Sequence, residues 1–155
     1  MLIIAPVVQD ATAKECGLHS GNVVRSASEQ ARDELPDLWP SGPVEALSRD
    51  QLAALKAGPR DKDTLVVLYA PWCQFSQVME GSYDELAQRL QGGSVRVAKF
   101  QADTERDFAT GEFGLATFPT IGLLPKSGGP WIKYPSERRD ADTLGMWVKT
   151  VAGYE

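Results

Sequence analysis

Residues 64–70 (TLVVLYA) limit what this chain can fold into more than any other stretch. The run is almost continuously apolar and rich in β-branched side chains. A strand of that kind has no polar face to offer water, so it must be covered on both sides. The flanking patterns supply the cover. Residues 44–47 are a short apolar run. Ser48 is placed as the N-cap of a helix with Leu52 and Leu55 on one face, which Gly58-Pro59 ends. Pro71 stops the central strand. Residues 73–90 have helical spacing, with Met79, Tyr83, Leu86 and Leu90 on one stripe, closed by Gly92-Gly93. Residues 95–101 alternate as a strand, and 105–113 are helical. Residues 120–124 and 131–134 are strands around Lys126-Ser-Gly-Gly-Pro130, and 140–151 close the chain as a helix. The order β-α-β-α-β-α-β-β-α predicts an α/β fold with a mixed central sheet and helices on both faces.

Residues 20–43 differ in character from the rest of the chain. They are polar, hold three prolines and two glycines, and show no apolar period. They read as a linker, which divides the chain into a flexible tail and linker over 1–43 and a folded domain over 44–155. At 155 residues, 43% apolar and 24% charged, a core of ordinary size is expected. The net charge of -5 argues against a nucleic-acid partner. The longest apolar runs, 1–8 and 65–70, fall well short of the roughly 18 residues of a membrane helix. Residues 1–8 lack the basic segment of a secretory signal, so no targeting segment is expected. Two cysteines, Cys16 and Cys73, and one histidine cannot build a disulfide framework, a four-cysteine zinc site or an iron–sulfur cluster within one chain. No metal site is expected. Thiol chemistry or inert burial remains for the sulfurs.

Tyr69-Ala-Pro-Trp-Cys-Gln-Phe-Ser76 puts Cys73 between a buried strand and the first turn of a helix. Unpaired N–H groups and the positive helix end favour a thiolate there, and cysteines so placed titrate at about 3.5–7.5 in place of about 8.5. The alternative is a buried structural cysteine.

LVVLYAPWC, a following helix and the later Thr117-Phe-Pro-Thr120 resemble the thioredoxin fold, whose motif is Trp-Cys-x-x-Cys opposite a cis-proline loop. Pro119 matches the cis-proline, and Lys99 lies in a matching segment. The resemblance implies that Cys73 is the nucleophile and that Trp72 lies on the contact surface. It also implies that the Thr117-Phe118-Pro119 loop receives an incoming thiol peptide on the Phe118 backbone. Two positions depart from the pattern: Ser76 stands where the second cysteine would be, and Val67 where a buried acid would be. Ser76 is expected to hydrogen-bond the Cys73 thiolate. A lone thiol cannot resolve its own mixed disulfide, so an external thiol such as glutathione, or Cys16, must do so.

Asp10-Ala-Thr-Ala-Lys-Glu-Cys-Gly-Leu-His-Ser-Gly-Asn22 resembles the Glu-Cys-Gly-Leu-His signature of adenylyl-sulfate (APS) reductases. In plant-type members the reductase domain precedes a thioredoxin- or glutaredoxin-like domain. VEALSRDQL, VAKFQAD and KYPSERRDADTL extend the likeness over residues 10–22 and 44–151. The resemblance implies that the cysteine matching Cys16 attacks adenylyl sulfate and carries a thiosulfonate. The C-terminal domain then supplies electrons from glutathione, and sulfite is released in sulfate assimilation. A plastid location is implied too. Residues 10–22 would be the end of a reductase domain whose nucleotide-binding body and iron–sulfur cluster lie outside this chain. APS reduction by this chain alone is therefore not expected, and Cys16 is expected to be an idle thiol on the tail. The expected partners are glutathione and the thiosulfonate-bearing domain, with no bound cofactor. The rival class is a non-catalytic docking module for a thiol client. A glutathione-ligated cluster carrier is a third reading that the WCQFS motif disfavours. Glu137-Arg-Arg-Asp140 is read as a solvated loop before the last helix, with contact to glutathione as its alternative. Trp131, Trp147, Phe100 and Tyr83 are expected in the core, and Asp103 is expected only to begin a loop.

Overall fold

The computed structural model describes residues 14–18 and 36–153. Its strands are β1 (Cys16–Gly17), β2 (Glu45–Ala46), β3 (Asp63–Tyr69), β4 (Val95–Gln101), β5 (Thr117–Phe118), β6 (Thr120–Leu124) and β7 (Ile132–Lys133). Its helices are α1 (Arg49–Ala57), α2 (Gln74–Val78), α3 (Glu80–Leu90), α4 (Arg106–Phe113) and α5 (Ala141–Ala152). Five strands form one sheet in the order β2-β4-β3-β6-β7. β2, β4 and β3 run parallel, and β6 and β7 are antiparallel additions. The residue pattern predicts this mixed sheet, and the arrangement is the thioredoxin fold that the resemblance implies. No described helix is long and apolar enough to cross a membrane.

The central strand shows why its sequence is so apolar. Leu65, Val67 and Tyr69 point into one core with Tyr83 and Leu86 of α3 and Leu144 and Val148 of α5. Val66 and Leu68 point into the other, with Leu52 of α1 and Ala109 and Phe113 of α4. Both faces are dry because successive strand residues alternate sides. The predicted helix over 73–90 forms as α2 and α3, interrupted at Met79. Ser48 caps α1 as predicted: its hydroxyl accepts from Gln51 N at 3.1 Å, and the Gln51 side chain accepts from Ser48 N at 2.8 Å.

Part of the expected linker is built into the fold. Leu38 and Trp39 are buried in the first core. Trp39 N donates to Glu80 Oε2 at 2.6 Å, and its indole donates to the Glu80 carbonyl at 2.9 Å. From β4, the buried Lys99 ammonium donates to the Trp39 carbonyl at 2.9 Å, to the Leu38 carbonyl, and to Asp37 Oδ2 at 3.1 Å. Asp37 Oδ1 accepts from the Tyr69 hydroxyl. Burial, and then the Asp37 carboxylate, push the Tyr69 phenol well above its ordinary pKa, so it stays a donor. Trp39 holds a φ of 51°, a costly region for a large side chain. These bonds hold it there. Composition hides this clasp, because three anchoring residues are diluted among prolines and polar neighbours. Of the expected tail and linker, residues 1–13 and 19–35 lie outside the described residues.

Gly122 of β6 lies under the Trp131 indole, which packs edge-on against Phe113 with ring centres 4.9 Å apart. A Cβ at 122 would collide with that ring. Gly122→Ala is expected to lower stability by about 1–3 kcal/mol through overpacking, read as a lower urea midpoint at unchanged slope.

Candidate functional site

Cys73 is the N-cap residue of α2, brought there by the turn in which its N–H donates to the Ala70 carbonyl at 3.0 Å. Gln77 secures the corner, its backbone N–H bonding the Cys73 carbonyl and its side-chain amide the Pro71 carbonyl. Facing this corner, the cis peptide Phe118-Pro119 ends β5. The Cys73 sulfur lies 3.6 Å from the Phe118 carbonyl oxygen.

Cys16 occupies the space between. It forms a disulfide with Cys73 across a sequence separation of 57. The bond is embedded in backbone pairing: β1 runs antiparallel to β5, with Cys16 opposite Phe118 and Gly17 opposite Thr117. Glu15 Oε2 accepts a further bond from Thr117 Oγ1 at 2.8 Å. Cys16 is thus docked on the loop and bonded to Cys73, where a mobile thiol was expected. A two-residue strand with one cysteine has no local signal. It forms because an unpaired strand edge and a sulfur lie in register to receive it.

Trp72 is half-buried and stands edge-on to Phe118, ring centres 5.6 Å apart. Its indole donates to Asp103 Oδ2 at 3.0 Å. Asp103 therefore does more than begin a loop, since it fixes the ring beside Cys73. Ser76 is fully buried, and among the described residues its hydroxyl has no hydrogen-bond partner. The bond expected of Ser76 is to a Cys73 thiolate, and in the disulfide that sulfur carries no charge to attract a donor. Tyr83 and Phe100 are core residues, while Trp131 and Trp147 are only partly buried. In the 137–140 loop, Asp140 caps α5 through the Thr143 N–H, and that bond, joined by one from the Thr143 hydroxyl, holds its carboxyl below the usual range. Both cysteines are consumed by their mutual bond, so this chain offers a cluster no thiolate in this state.

The arrangement joins two thiols that reach each other through a peptide laid on the cis-proline loop. Such a site performs thiol–disulfide exchange.

The Thioredoxin family model matches residues 49–150. The chain is 44% identical over 150 residues to 5'-adenylylsulfate reductase 1, chloroplastic, of Arabidopsis thaliana, covering 92% of this chain and 32% of that protein. It is 46% identical over 151 residues to reductase 3 of the same plant, covering 92% and 33%. The chain thus spans about a third of the length of these relatives. A crystal structure of chloroplastic thioredoxin z is similar in fold, with a TM-score of 0.61 and 23% identity over 74% of this chain and 98% of that one.

Proposed function

The chain belongs to the thioredoxin family, and from that premise we propose that it is a glutathione-dependent, monothiol oxidoreductase module that supplies electrons for reducing adenylyl sulfate to sulfite. The observation that carries this reading is the Cys16–Cys73 disulfide held on the Phe118 backbone. That state is what the reaction would leave behind. A Cys73 thiolate attacks the sulfur of a Cys16 thiosulfonate, the S–S bond to the sulfonate group breaks, and sulfite departs with its electron pair. Cys16 and Cys73 end joined. Glutathione then reduces the pair, and glutathione disulfide is the product. Ser76 is not a thiol, so Cys73 exchanges with Cys16 or with an external thiol, and glutathione is the external thiol of this reading. The names of the reductase relatives support adenylyl sulfate as the substrate of the larger reaction and a plastid as its place. The thiosulfonate-bearing partner is a reductase domain of the kind those names describe.

The test is a glutathione-coupled disulfide reduction assay on the chain, with intact masses taken at the end. Turnover is expected to fall to background in Cys73→Ala and to persist in Cys16→Ala. Failure of the unaltered chain to turn over, with Cys73 stalled as a single glutathione adduct, would overturn the reading in favour of a non-catalytic docking module.

A further inference from the structure

The docked segment reads Glu15-Cys16-Gly17, β1 with the residue before it, and this is the residue order of glutathione. The two differ in one linkage, because glutathione joins its cysteine through the side-chain carboxyl of glutamate. The carbon skeleton of glutamate is symmetric between its carboxyl groups. The free carboxylate therefore stands the same number of bonds from the cysteine amide in either molecule. In the tail that carboxylate is the Glu15 side chain, bonded to Thr117 Oγ1. Beside it opens a cavity of about 360 Å³ whose lining includes Pro119, Lys133 and Arg139. Arg139 is half-buried and feels the charges of Glu137 and Glu15, yet among the described residues it makes no hydrogen bond or close ion pair. An arginine so placed is suited to an incoming carboxylate.

We propose that Glu15-Cys16-Gly17 is a built-in stand-in for glutathione, and that tail and tripeptide compete for one groove. Glutathione's cysteine takes the place of Cys16 opposite Phe118, and its glycine takes that of Gly17. Its glutamyl carboxylate takes the Thr117 hydroxyl, with Arg139 alongside. This rests on the reading of glutathione as the reductant.

The competition orders the chemistry. Cys73 has no exposed surface beneath the tail, whereas Cys16 is partly exposed. The first glutathione thiolate therefore attacks Cys16, the Cys16–Cys73 bond breaks, and Cys73 leaves as a thiolate. Cys73 next attacks the glutathione sulfur of the Cys16 adduct. Cys16 departs as a thiolate that takes a proton from water, and glutathione now lies in the groove, bonded to Cys73. A second glutathione thiolate attacks that glutathione sulfur, which releases glutathione disulfide and the Cys73 thiolate.

The test titrates the full-length chain with S-methylglutathione, which has no free thiol, and follows backbone amide resonances. Saturable shifts at Thr117, Phe118 and Arg139 are expected in Cys16→Ser. They should be weaker by about tenfold or more in the oxidised chain, where the tail is locked in place. In the Cys16→Ser background, Thr117→Val and Arg139→Ala should each weaken binding about tenfold, the scale of one charge-assisted bond. Arg139→Lys should restore much of it. S-methylcysteinylglycine, which lacks the glutamyl group, should bind no better to Cys16→Ser than S-methylglutathione binds to the Thr117→Val variant. Equal binding to the oxidised chain and to Cys16→Ser would overturn the proposal, as would indifference to Thr117→Val. If Cys16→Ser turns over with glutathione but the analogue misses the groove, only the shared site fails. If it neither turns over nor binds, the glutathione reading fails with it.

Discussion

Lys99→Met is expected to lower stability by about 3 kcal/mol, a fall in melting temperature of roughly 6–12 °C for a chain of this size. Methionine keeps the length and apolar stem of lysine but not its three donors. The Leu38 and Trp39 carbonyls lose their partner in a buried place. The loss falls mainly on those carbonyls. Asp37, with a side chain 44% exposed, can turn to water once its ammonium is gone. Asp37→Asn should therefore cost far less than Lys99→Met. Thermal melts of the two variants beside the unaltered chain check this. Equal losses would mean that the ion pair, not the carbonyl contacts, holds residues 37–39 in place.

Ser76→Cys is the variant with the largest expected change in chemistry. Residue 76 is one helical turn beyond Cys73, fully buried, and in the unaltered chain its hydroxyl finds no partner among the described residues. A thiol behaves as a small hydrophobe and suits a buried position, and the spacing of three residues sets it one helical turn from Cys73. The oxidised variant is expected to carry a disulfide between Cys73 and the new thiol at position 76, leaving Cys16 free. Peptide mapping under non-reducing conditions reads this directly. Resolution of a Cys73 mixed disulfide should become independent of glutathione concentration and faster by at least about 100-fold, because the attacking thiol is held in place. Retention of the Cys16–Cys73 bond in the variant would show that β1 docking outweighs the proximity of residue 76.

How much of the fold and the site is legible in the sequence varies with the range of the forces involved. The alternation of Val66, Val67 and Leu68 between two cores follows from the strand pattern alone, and the Ser48 cap follows from Ser-x-x-Gln spacing. The Cys73 corner can be placed because Pro71 and the helical spacing after it are local signals. The Asp37–Trp39 clasp is not legible, since its partners Glu80 and Lys99 lie far away in the chain. The same holds for Trp72 and Asp103, which meet across 31 positions, and for β1, which depends on an edge about a hundred residues away. Composition averages over such contacts, and periodicity cannot register a strand of two residues.

The burial of Cys73 under β1 also bears on the chemical lifetime of the protein. Peroxides drive a cysteine irreversibly to sulfinic and sulfonic acids only from an accessible thiolate. While the tail is seated, the Cys73 sulfur has no exposed surface and no free thiolate. As long as Cys16 and Cys73 are joined, the Cys73 sulfur offers peroxides no accessible thiolate, and a thiol reductant can release it from the disulfide.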